Sequence, residues 1–178
     1  CLGDDDFGRK FIKLFKKLNI NIDFLQIDKQ SSTRVINVIR DEYGDRSFSG
    51  FENKKFSTFA DEMLDKSLII NNIKNLKEKF LNTKYIVTGT NLLASPKSAE
   101  SLNFILDLAK NLRIQIIIDV NWREIFWSQF NTKKDLHFKK ISNFLHYANI
   151  LKLASEEALL FFQSNDPSEI SQKLINQP

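Results

Sequence analysis

Residues 114–123 read IQIIIDVNWR, and this stretch decides the fold. An apolar, β-branched run ends abruptly, and Asp119, Asn121 and Arg123 follow on alternate positions. Such a run is typical of a buried parallel strand, which is apolar on both of its faces. Open α/β sheets bind their ligands at the carboxyl ends of the strands. The stretch therefore predicts a parallel sheet whose edge presents these three side chains to a polar ligand.

Two further predicted strands end in comparable groups. Residues 84–89 read KYIVTG and end at Gly89, whereas residues 149–153 read NILKL and carry Lys152, with Glu157 shortly beyond. Helical patterns separate the strands, and strand–helix–strand order with short connections predicts a parallel sheet covered on both faces. We therefore expect one set of groups to converge at one edge: Gly89, Asp119, Asn121, Arg123, Lys152 and Glu157. An Arg fork suits anionic oxygens, and a carboxylate there could hold Mg²⁺ through water.

Each of these residues also has an ordinary structural role open to it. Asp119 could cap the turn after its strand, and Arg123 could form an exposed ion pair with Glu124. Glu156 and Glu157 could simply complement the dipole of a first helical turn. For any one residue the structural role is the more frequent one. The shared edge favours a functional site for the set as a whole.

The remaining patterns predict a β excursion near the start of an otherwise α/β chain. Regular helices are predicted at 6–18, 134–147, 155–162 and 168–175. An irregular helical region is predicted over 53–83. A further helix is predicted to begin after Ser95, which has the position of an N-cap. Short strands are predicted at 23–27, 34–40 and 46–51, with a turn at 43–45 between the last two.

Composition excludes several classes of protein. The 178 residues carry a net charge of +4, but the Lys residues are scattered rather than gathered on one face, so we expect no nucleic-acid partner. No apolar run approaches the roughly 20 residues that cross a bilayer, so we expect no membrane partner. Cys1 is the single cysteine, which favours the reducing cytoplasm. His137 and His146 lie in helical, Phe-rich surroundings that indicate packing or surface residues rather than catalytic bases.

Four motifs together resemble the PfkB-type, ribokinase-like carbohydrate kinases. Residues 3–8 read GDDDFG and are similar to that family's G-x-D-x-F-G opening, and Thr33 with the later GDRSF of residues 44–48 resembles its T…V…G-x-R-x-F lid strands. Residues 119–123 with Trp127 are similar to the D-x-N-x-R…W run of fructokinases and 2-keto-3-deoxygluconate kinases. Residues 148–157 resemble the A-D-I-x-K-x-S-x-x-E segment. The motifs keep the family's order and span nearly the whole chain.

The resemblance implies a ribokinase-like αβα sandwich with a parallel Rossmann-like sheet and a small β lid. It implies a core of residues 1–20 and 54–178 with the lid, residues 21–53, inserted in it. It also implies transfer of the ATP γ-phosphoryl group to a sugar hydroxyl, with Mg²⁺ as cofactor. Asn121 and Arg123 would contact sugar or phosphate together with Gly89 and Asp119. Lys152 would lie near the nucleotide phosphates, Glu157 would act on Mg²⁺, and the lid could pair two copies into a homodimer.

The chain departs from the family in three ways. Ala154 stands where the N-x-x-E motif begins with Asn or Ser, and Phe51-Glu52 stands where fructokinases often have Tyr-Arg. The G-A-G-D run that supplies the catalytic base is absent from the 178 residues. We therefore expect the base beyond Pro178, no catalytic base in this chain, and a central fragment that is inactive alone. A non-catalytic kinase-fold protein that binds a ligand or partner is the alternative. A mature lipoprotein beginning at Cys1 and a basic nucleic-acid-binding domain are less favoured.

Overall fold

The structure is a computed structural model that describes residues 1–52, 58–127 and 134–175. The chain divides into two compact units. The first unit contains Cys1–Ile73 and Ser95–Ser101, and the second contains Lys74–Ala94 and Leu102–Pro178. The domain limits expected from sequence, residues 21–53 within 1–20 and 54–178, stay a prediction. No helix of the described ranges is long and apolar enough to cross a bilayer.

The second unit is built on a three-stranded parallel sheet, as the sequence predicts. Its strands are β5 (Tyr85–Gly89), β6 (Gln115–Asp119) and β7 (Ile150–Lys152), in the order β5-β6-β7. The central strand is the most apolar, with Ile116 and Ile118 fully buried. Ile116 and Ile118 point to the same face of the sheet, whereas on the opposite face Ile117 is half-buried and Gln115 is exposed, so one face is covered more completely than the other.

Helices alternate with these strands. They are α3 (Ile73–Phe80), α4 (Pro96–Asn111), α5 (Glu124–Trp127), α6 (Lys134–Leu145), α7 (Ser155–Phe162) and α8 (Pro167–Ile175). Short 3₁₀ turns lie at Ala60–Met63 and Asn91–Leu93. Leu106, Ile141 and Leu145 join the two strand isoleucines in the buried core of the second unit.

The first unit holds the predicted β excursion. Its strands are β1 (Leu2–Gly3), β2 (Ile27–Asp28), β3 (Ile36–Arg40) and β4 (Arg46–Phe51), and its helices are α1 (Asp6–Lys17) and α2 (Lys66–Asn71). The hairpin β3–β4 is antiparallel, with a register shift between Asn37 and Val38. The strand expected over 23–27 is shorter and lies later, because residues 22–25 form a turn closed by the Leu25 N–H on the Ile22 carbonyl. β2 pairs in parallel with β1. The helical prediction for 53–83 is confirmed in part from residue 60 onward, and its residues 53–57 lie outside the described ranges.

The G-x-D-x-F-G stretch closes tightly around the start of α1. Asp5 caps the helix by accepting a hydrogen bond from the Gly8 N–H at 2.8 Å, and it accepts a second from the Thr33 N–H at 2.7 Å. A Cβ on Gly3 would lie 2.5 Å from the Ser31 carbonyl oxygen, and a Cβ on Gly8 would collide with the Gly3 carbonyl oxygen. Both glycines are therefore required by close backbone approach.

Arg34 ties the base of the hairpin to the segment that follows it. Its guanidinium is 2.9 Å from the carboxylate of Asp61 and 2.6 Å from that of Glu62. The same group lies over the rings of Phe51 and Phe59, with centroid distances of 4.7 and 4.1 Å. A buried charge is tolerated when it is paired in this way.

Three serines at the start of α4 replace the simple N-cap that the sequence predicts. The hydroxyls of Ser95, Ser98 and Ser101 donate to the carbonyl oxygens of Glu62, Asp61 and Leu64, at 2.7, 2.7 and 2.6 Å. Their three-residue spacing places them on one helix face. Ser95 thus helps to hold residues 61–64 against residues 95–101 of the same unit.

Candidate functional site

The carboxyl ends of the three parallel strands lie level with one another. Gly89 pairs with Asp119, and Asp119 pairs with Lys152. The backbone pairing continues one residue further, because the Val120 N–H donates to the Lys152 carbonyl oxygen at 2.9 Å. Thr90, which is fully buried, donates its hydroxyl proton to the Val120 carbonyl oxygen at 2.6 Å. The predicted site residues at the three strand ends therefore share one edge.

Gly89 and Asn121 shape the backbone at this edge. A Cβ on Gly89 would lie 3.2 Å from the Asp119 carbonyl oxygen, so the two strand ends approach each other closely there. Asn121 has a φ of +43°, in the left-handed region, and its side chain is exposed. Asn adopts this conformation more readily than most residues. The chain turns at Asn121 and leaves its amide open to solvent beyond the end of β6.

Glu157 joins the turn after β6 to the turn after β7. Its Oε1 accepts a hydrogen bond from the Trp122 N–H at 2.6 Å, and its Oε2 accepts one from the Ala154 N–H at 2.9 Å. The residue is 7% exposed. Its neighbour Glu156 is exposed and matches the simple helix-dipole role. Glu157 does more than that, because its carboxylate holds two loops together.

Arg123 lies beside Glu157 and is half-buried. Its Nη1 donates to the Trp122 carbonyl oxygen at 2.6 Å and lies 4.0 Å from Oε1 of Glu157. Glu124, the partner considered from sequence, accepts a hydrogen bond from Lys134 at 3.1 Å. The guanidinium is thus oriented by the backbone and by a carboxylate, and 39% of its side chain remains exposed.

Asp119 and Lys152 form an ion pair across the sheet. The Lys152 Nζ donates to Oδ2 of Asp119 at 2.7 Å. The two side chains are 37% and 71% exposed, so the pair contributes little to stability. Within the described ranges the Asp119 carboxylate binds Lys152 rather than capping its own turn.

Aromatic side chains pack behind the segment that joins β6 to α5. Trp122 contacts Trp127, Phe138 and Phe161 with ring-centroid distances of 5.4, 5.4 and 6.1 Å. His137 packs on Trp127 at 4.9 Å. Burial and the nearby charge of Lys140 lower the pKa of His137. His137 therefore has a packing role, as the sequence predicts.

His146 faces the backbone of its own helix. Its Nδ1 lies 3.1 Å from the Ser142 carbonyl oxygen and 3.2 Å from that of Asn143. This placement is also that of a packing residue.

The sequence patterns did not identify Thr90 and Trp122 as residues of this edge. Thr90 directly follows the predicted strand end, so its position was visible, but its bond to a carbonyl 30 residues away was not. Trp122 occupies the variable position between Asn121 and Arg123, and its importance is visible only from its contacts in the folded chain.

Glu157 is the residue of this edge that the sequence predicts to act on a metal ion. Across residues 1–52, 58–127 and 134–175 no three His, Cys, Asp or Glu side chains form a group that could hold one. Mg²⁺ commonly uses one or two carboxylates plus water and substrate phosphates. Each oxygen of Glu157 accepts one backbone N–H and keeps a further lone pair for water. The edge therefore fits a water-mediated Mg²⁺ whose main ligands come from a bound phosphate.

Comparisons with known proteins bear on the family and the fold of the chain. The family described as pfkB family carbohydrate kinase matches residues 1–177. The chain is 24% identical over 170 residues to the probable fructokinase-6, chloroplastic, of Arabidopsis thaliana, covering 93% of this chain and 40% of that protein.

Two solved structures show the same fold. A fructokinase from Xylella fastidiosa with bound ATP matches with a TM-score of 0.77 and 20% identity, over 98% of this chain and 50% of that one. A fructokinase from Vibrio cholerae O395 with fructose, ADP and calcium ion matches with a TM-score of 0.76 and 20% identity, over 98% and 52%. The predicted ribokinase-like α/β fold is thus confirmed, and the chain spans about half the length of these relatives. With a family match along virtually its whole length, this chain belongs to the pfkB family of carbohydrate kinases.

Proposed function

We propose that this chain is the central part of a fructokinase-like kinase that transfers the γ-phosphoryl group of ATP to a sugar hydroxyl. The observation that carries the proposal is the convergence of Asn121, Arg123 and Glu157 around the turn that follows β6. Phosphoryl transfer depends mainly on positioning and on neutralising negative charge. A guanidinium held by backbone and carboxylate, next to an exposed amide, supports those two tasks.

Asn121 and Arg123 contact the sugar or the phosphate in this proposal. Arg123 offers a planar fork that binds two anionic oxygens at once. Asn121 offers both a donor and an acceptor to sugar hydroxyls. Gly89 and Asp119 border the same edge, and the missing Cβ of Gly89 lets backbone come close to it.

Lys152 serves the nucleotide phosphates. Its ammonium is paired with Asp119 at 2.7 Å but is mostly exposed, so an incoming phosphate can compete for it at low cost. ATP-bound and ADP-bound fructokinases among the structural relatives support the use of a nucleotide.

Glu157 would hold Mg²⁺ through water. When bound, the ion would neutralise phosphate charge during transfer. The protein's own contribution is to keep the Glu157 carboxylate in place through the Trp122 and Ala154 N–H groups. These same bonds orient its remaining lone pairs.

The first test is kinase activity of the 178-residue chain by itself. Because its sequence contains no G-A-G-D run, we expect no transfer from ATP to fructose or to 2-keto-3-deoxygluconate. The full-length protein should catalyse the transfer to one of these sugars. Sugar phosphate formed by the purified chain alone would contradict the missing-base argument.

The second test replaces Arg123 in the full-length protein. Arg123→Ala should lower kcat/KM at least about tenfold, about 1.4 kcal/mol of barrier. Arg113→Ala is the matched control, because Arg113 is an exposed Arg of the same unit that precedes β6. An unchanged kcat/KM for Arg123→Ala would remove its role in the site.

A non-catalytic binding or regulatory protein is the second candidate, favoured by Ala154 and Glu52. Ala154 stands at the N-cap of α7 and has no side-chain acceptor, so Glu157 alone completes the cap. Full-length protein that binds ATP and transfers no phosphate to sugar would favour this candidate over the kinase.

The hairpin β3–β4 is proposed to pair two copies of the protein. Val38, Ile39 and Phe48 are 48, 56 and 37% exposed on it. Exposed apolar strands are favoured at contacts between chains. Sedimentation of the full-length protein tests this proposal. The cytoplasmic location expected from the cysteine content stays a prediction.

A further inference from the structure

We infer that Trp122 is a positioning residue, which holds Asn121 and Arg123 in the geometry that phosphoryl transfer needs. The inference rests on the proposed kinase function and adds a residue to its site. It comes from two backbone hydrogen bonds and three ring contacts that meet on this one residue, which occupies the variable position between Asn and Arg in the D-x-N-x-R pattern.

The backbone of Trp122 is anchored to Glu157 and in turn orients Arg123. Its N–H donates to Oε1 of Glu157 at 2.6 Å, and its carbonyl oxygen accepts from Nη1 of Arg123 at 2.6 Å. The first bond fixes the residue to the start of α7. The second bond ties the guanidinium of Arg123 to the peptide group that precedes it. The direction of the Arg123 side chain therefore depends on the position of Trp122.

The ring of Trp122 is held by three helices. It contacts Trp127 of α5, Phe138 of α6 and Phe161 of α7, and the rings of Phe138 and Phe161 also meet edge to face at 5.4 Å. A large aromatic group packed on three sides has few rotamers open to it. The cluster therefore immobilises the peptide to which the two proposed ligand-binding side chains are attached.

Asn121 needs such support. Its φ of +43° lies in the left-handed region, which Asn tolerates better than most residues but which still carries a cost, and such conformations persist where the surroundings favour them. Asn121 itself is exposed, so the constraint has to come from its neighbours in the chain. Val120 is fixed by sheet pairing on one side, and Trp122 is the fixed residue on the other. Without the Trp122 ring, the backbone bond to Glu157 is left as the anchor of the turn on the side of Arg123, and the ring contacts with three helices are lost.

The experiment compares two matched substitutions in the full-length protein. Trp122→Leu should lower kcat/KM for sugar phosphorylation by about ten- to a hundredfold per folded molecule, since small displacements of positioning groups have effects of that size. Trp122→Phe keeps an aromatic ring in the cluster and should stay within about threefold of wild type. Phe144→Leu removes a buried ring that packs on Tyr147 at 6.0 Å, and should leave kcat/KM within about twofold.

A double-mutant cycle separates positioning from a general loss of structure. If Trp122 acts through Asn121 and Arg123, Trp122→Leu should reduce kcat/KM by less than about threefold in a protein that already carries Asn121→Ala and Arg123→Ala. Fully multiplicative effects, or an unchanged kcat/KM for Trp122→Leu, would overturn the inference and leave the kinase function standing. Wild-type protein without any sugar phosphorylation would overturn the kinase function and the inference with it. If Trp122→Leu does not fold, Phe138→Leu and Phe161→Leu take its place in the same double-mutant cycle. Each of them removes one ring that packs on Trp122 and keeps Trp122 itself.

Discussion

Replacing Glu157 by Ala should destabilise the second unit far more than the same change at Glu156. Both residues lie in the first turn of α7 and carry the same charge. Glu157 is 7% exposed and its carboxylate accepts the N–H groups of Trp122 and Ala154, whereas Glu156 is exposed. The two substitutions change helix propensity and net charge equally, so their difference reports on the burial of Glu157, its two hydrogen bonds and its contact with Arg123.

The two hydrogen bonds set the expected loss in the free energy of unfolding for Glu157→Ala. A hydrogen bond to a charged acceptor contributes about 1.5–3 kcal/mol, so two contribute about 3–6 kcal/mol. Removing a nearly buried carboxylate also relieves its desolvation, which offsets part of that loss and leaves a net destabilisation of about 3 kcal/mol. For a chain of this length that corresponds to a fall in Tm of about 6–12 °C. Glu156→Ala should change the free energy of unfolding by less than about 0.5 kcal/mol.

Urea unfolding followed by tryptophan emission is the appropriate assay. The chain has two tryptophans, Trp122 and Trp127, and their rings are 5.4 Å apart in the second unit. Their emission therefore reports on the part of the chain that Glu157 holds together. If Glu157→Ala and Glu156→Ala unfolded at the same urea concentration, the view of Glu157 as the link between the turns after β6 and β7 would be wrong.

Two further predictions concern packing and pH. Gly8→Ala should reduce the free energy of unfolding by about 3 kcal/mol, because its Cβ would collide with the Gly3 carbonyl oxygen. Gly44→Ala, where a Cβ meets open space at a φ of +84°, should cost about 1 kcal/mol in the same denaturation experiment, and equal losses would contradict this account. Burial and the hydrogen bond to Asp107 raise the pKa of Tyr147 from 10.0 to about 12. The unfolded phenol ionises first, so stability should fall as pH rises from 10.0 to about 12, and fall less steeply in Tyr147→Phe. Parallel pH profiles for both proteins would refute the assigned shift.

The predicted strands were confirmed where local pattern and tertiary environment agree. The run ending at Asp119 is apolar enough to be recognised alone, and it forms β6 as Gln115–Asp119. The helix predicted over 155–162 is observed as Ser155–Phe162. Because parallel strand ends must share an edge, the level alignment of Gly89, Asp119 and Lys152 also followed from pattern.

Where prediction and structure differ, a hydrogen bond that the composition does not reveal decides, and its partner can be near or far in the chain. Residues 23–27 have strand-like composition, yet a turn closed by Leu25 on Ile22 occupies most of them. Ser95 has the position of an N-cap, yet its hydroxyl donates to Glu62, which lies 33 residues earlier. The types of residue in a local stretch of sequence do not predict such hydrogen-bond partners.

The sequence by itself determined the parallel strands, the order of the helices and the membership of Asp119, Asn121, Arg123 and Glu157 in one edge. These follow from hydrophobic period, from motif spacing and from the geometry that all parallel sheets share. Only the tertiary structure decided how the edge is held together. Glu157 meets the Trp122 N–H across 35 residues, a pairing that two-residue and 3.6-residue periods do not encode. That bond depends on where the turns after β6 and β7 lie in space, and this position is a property of the folded chain.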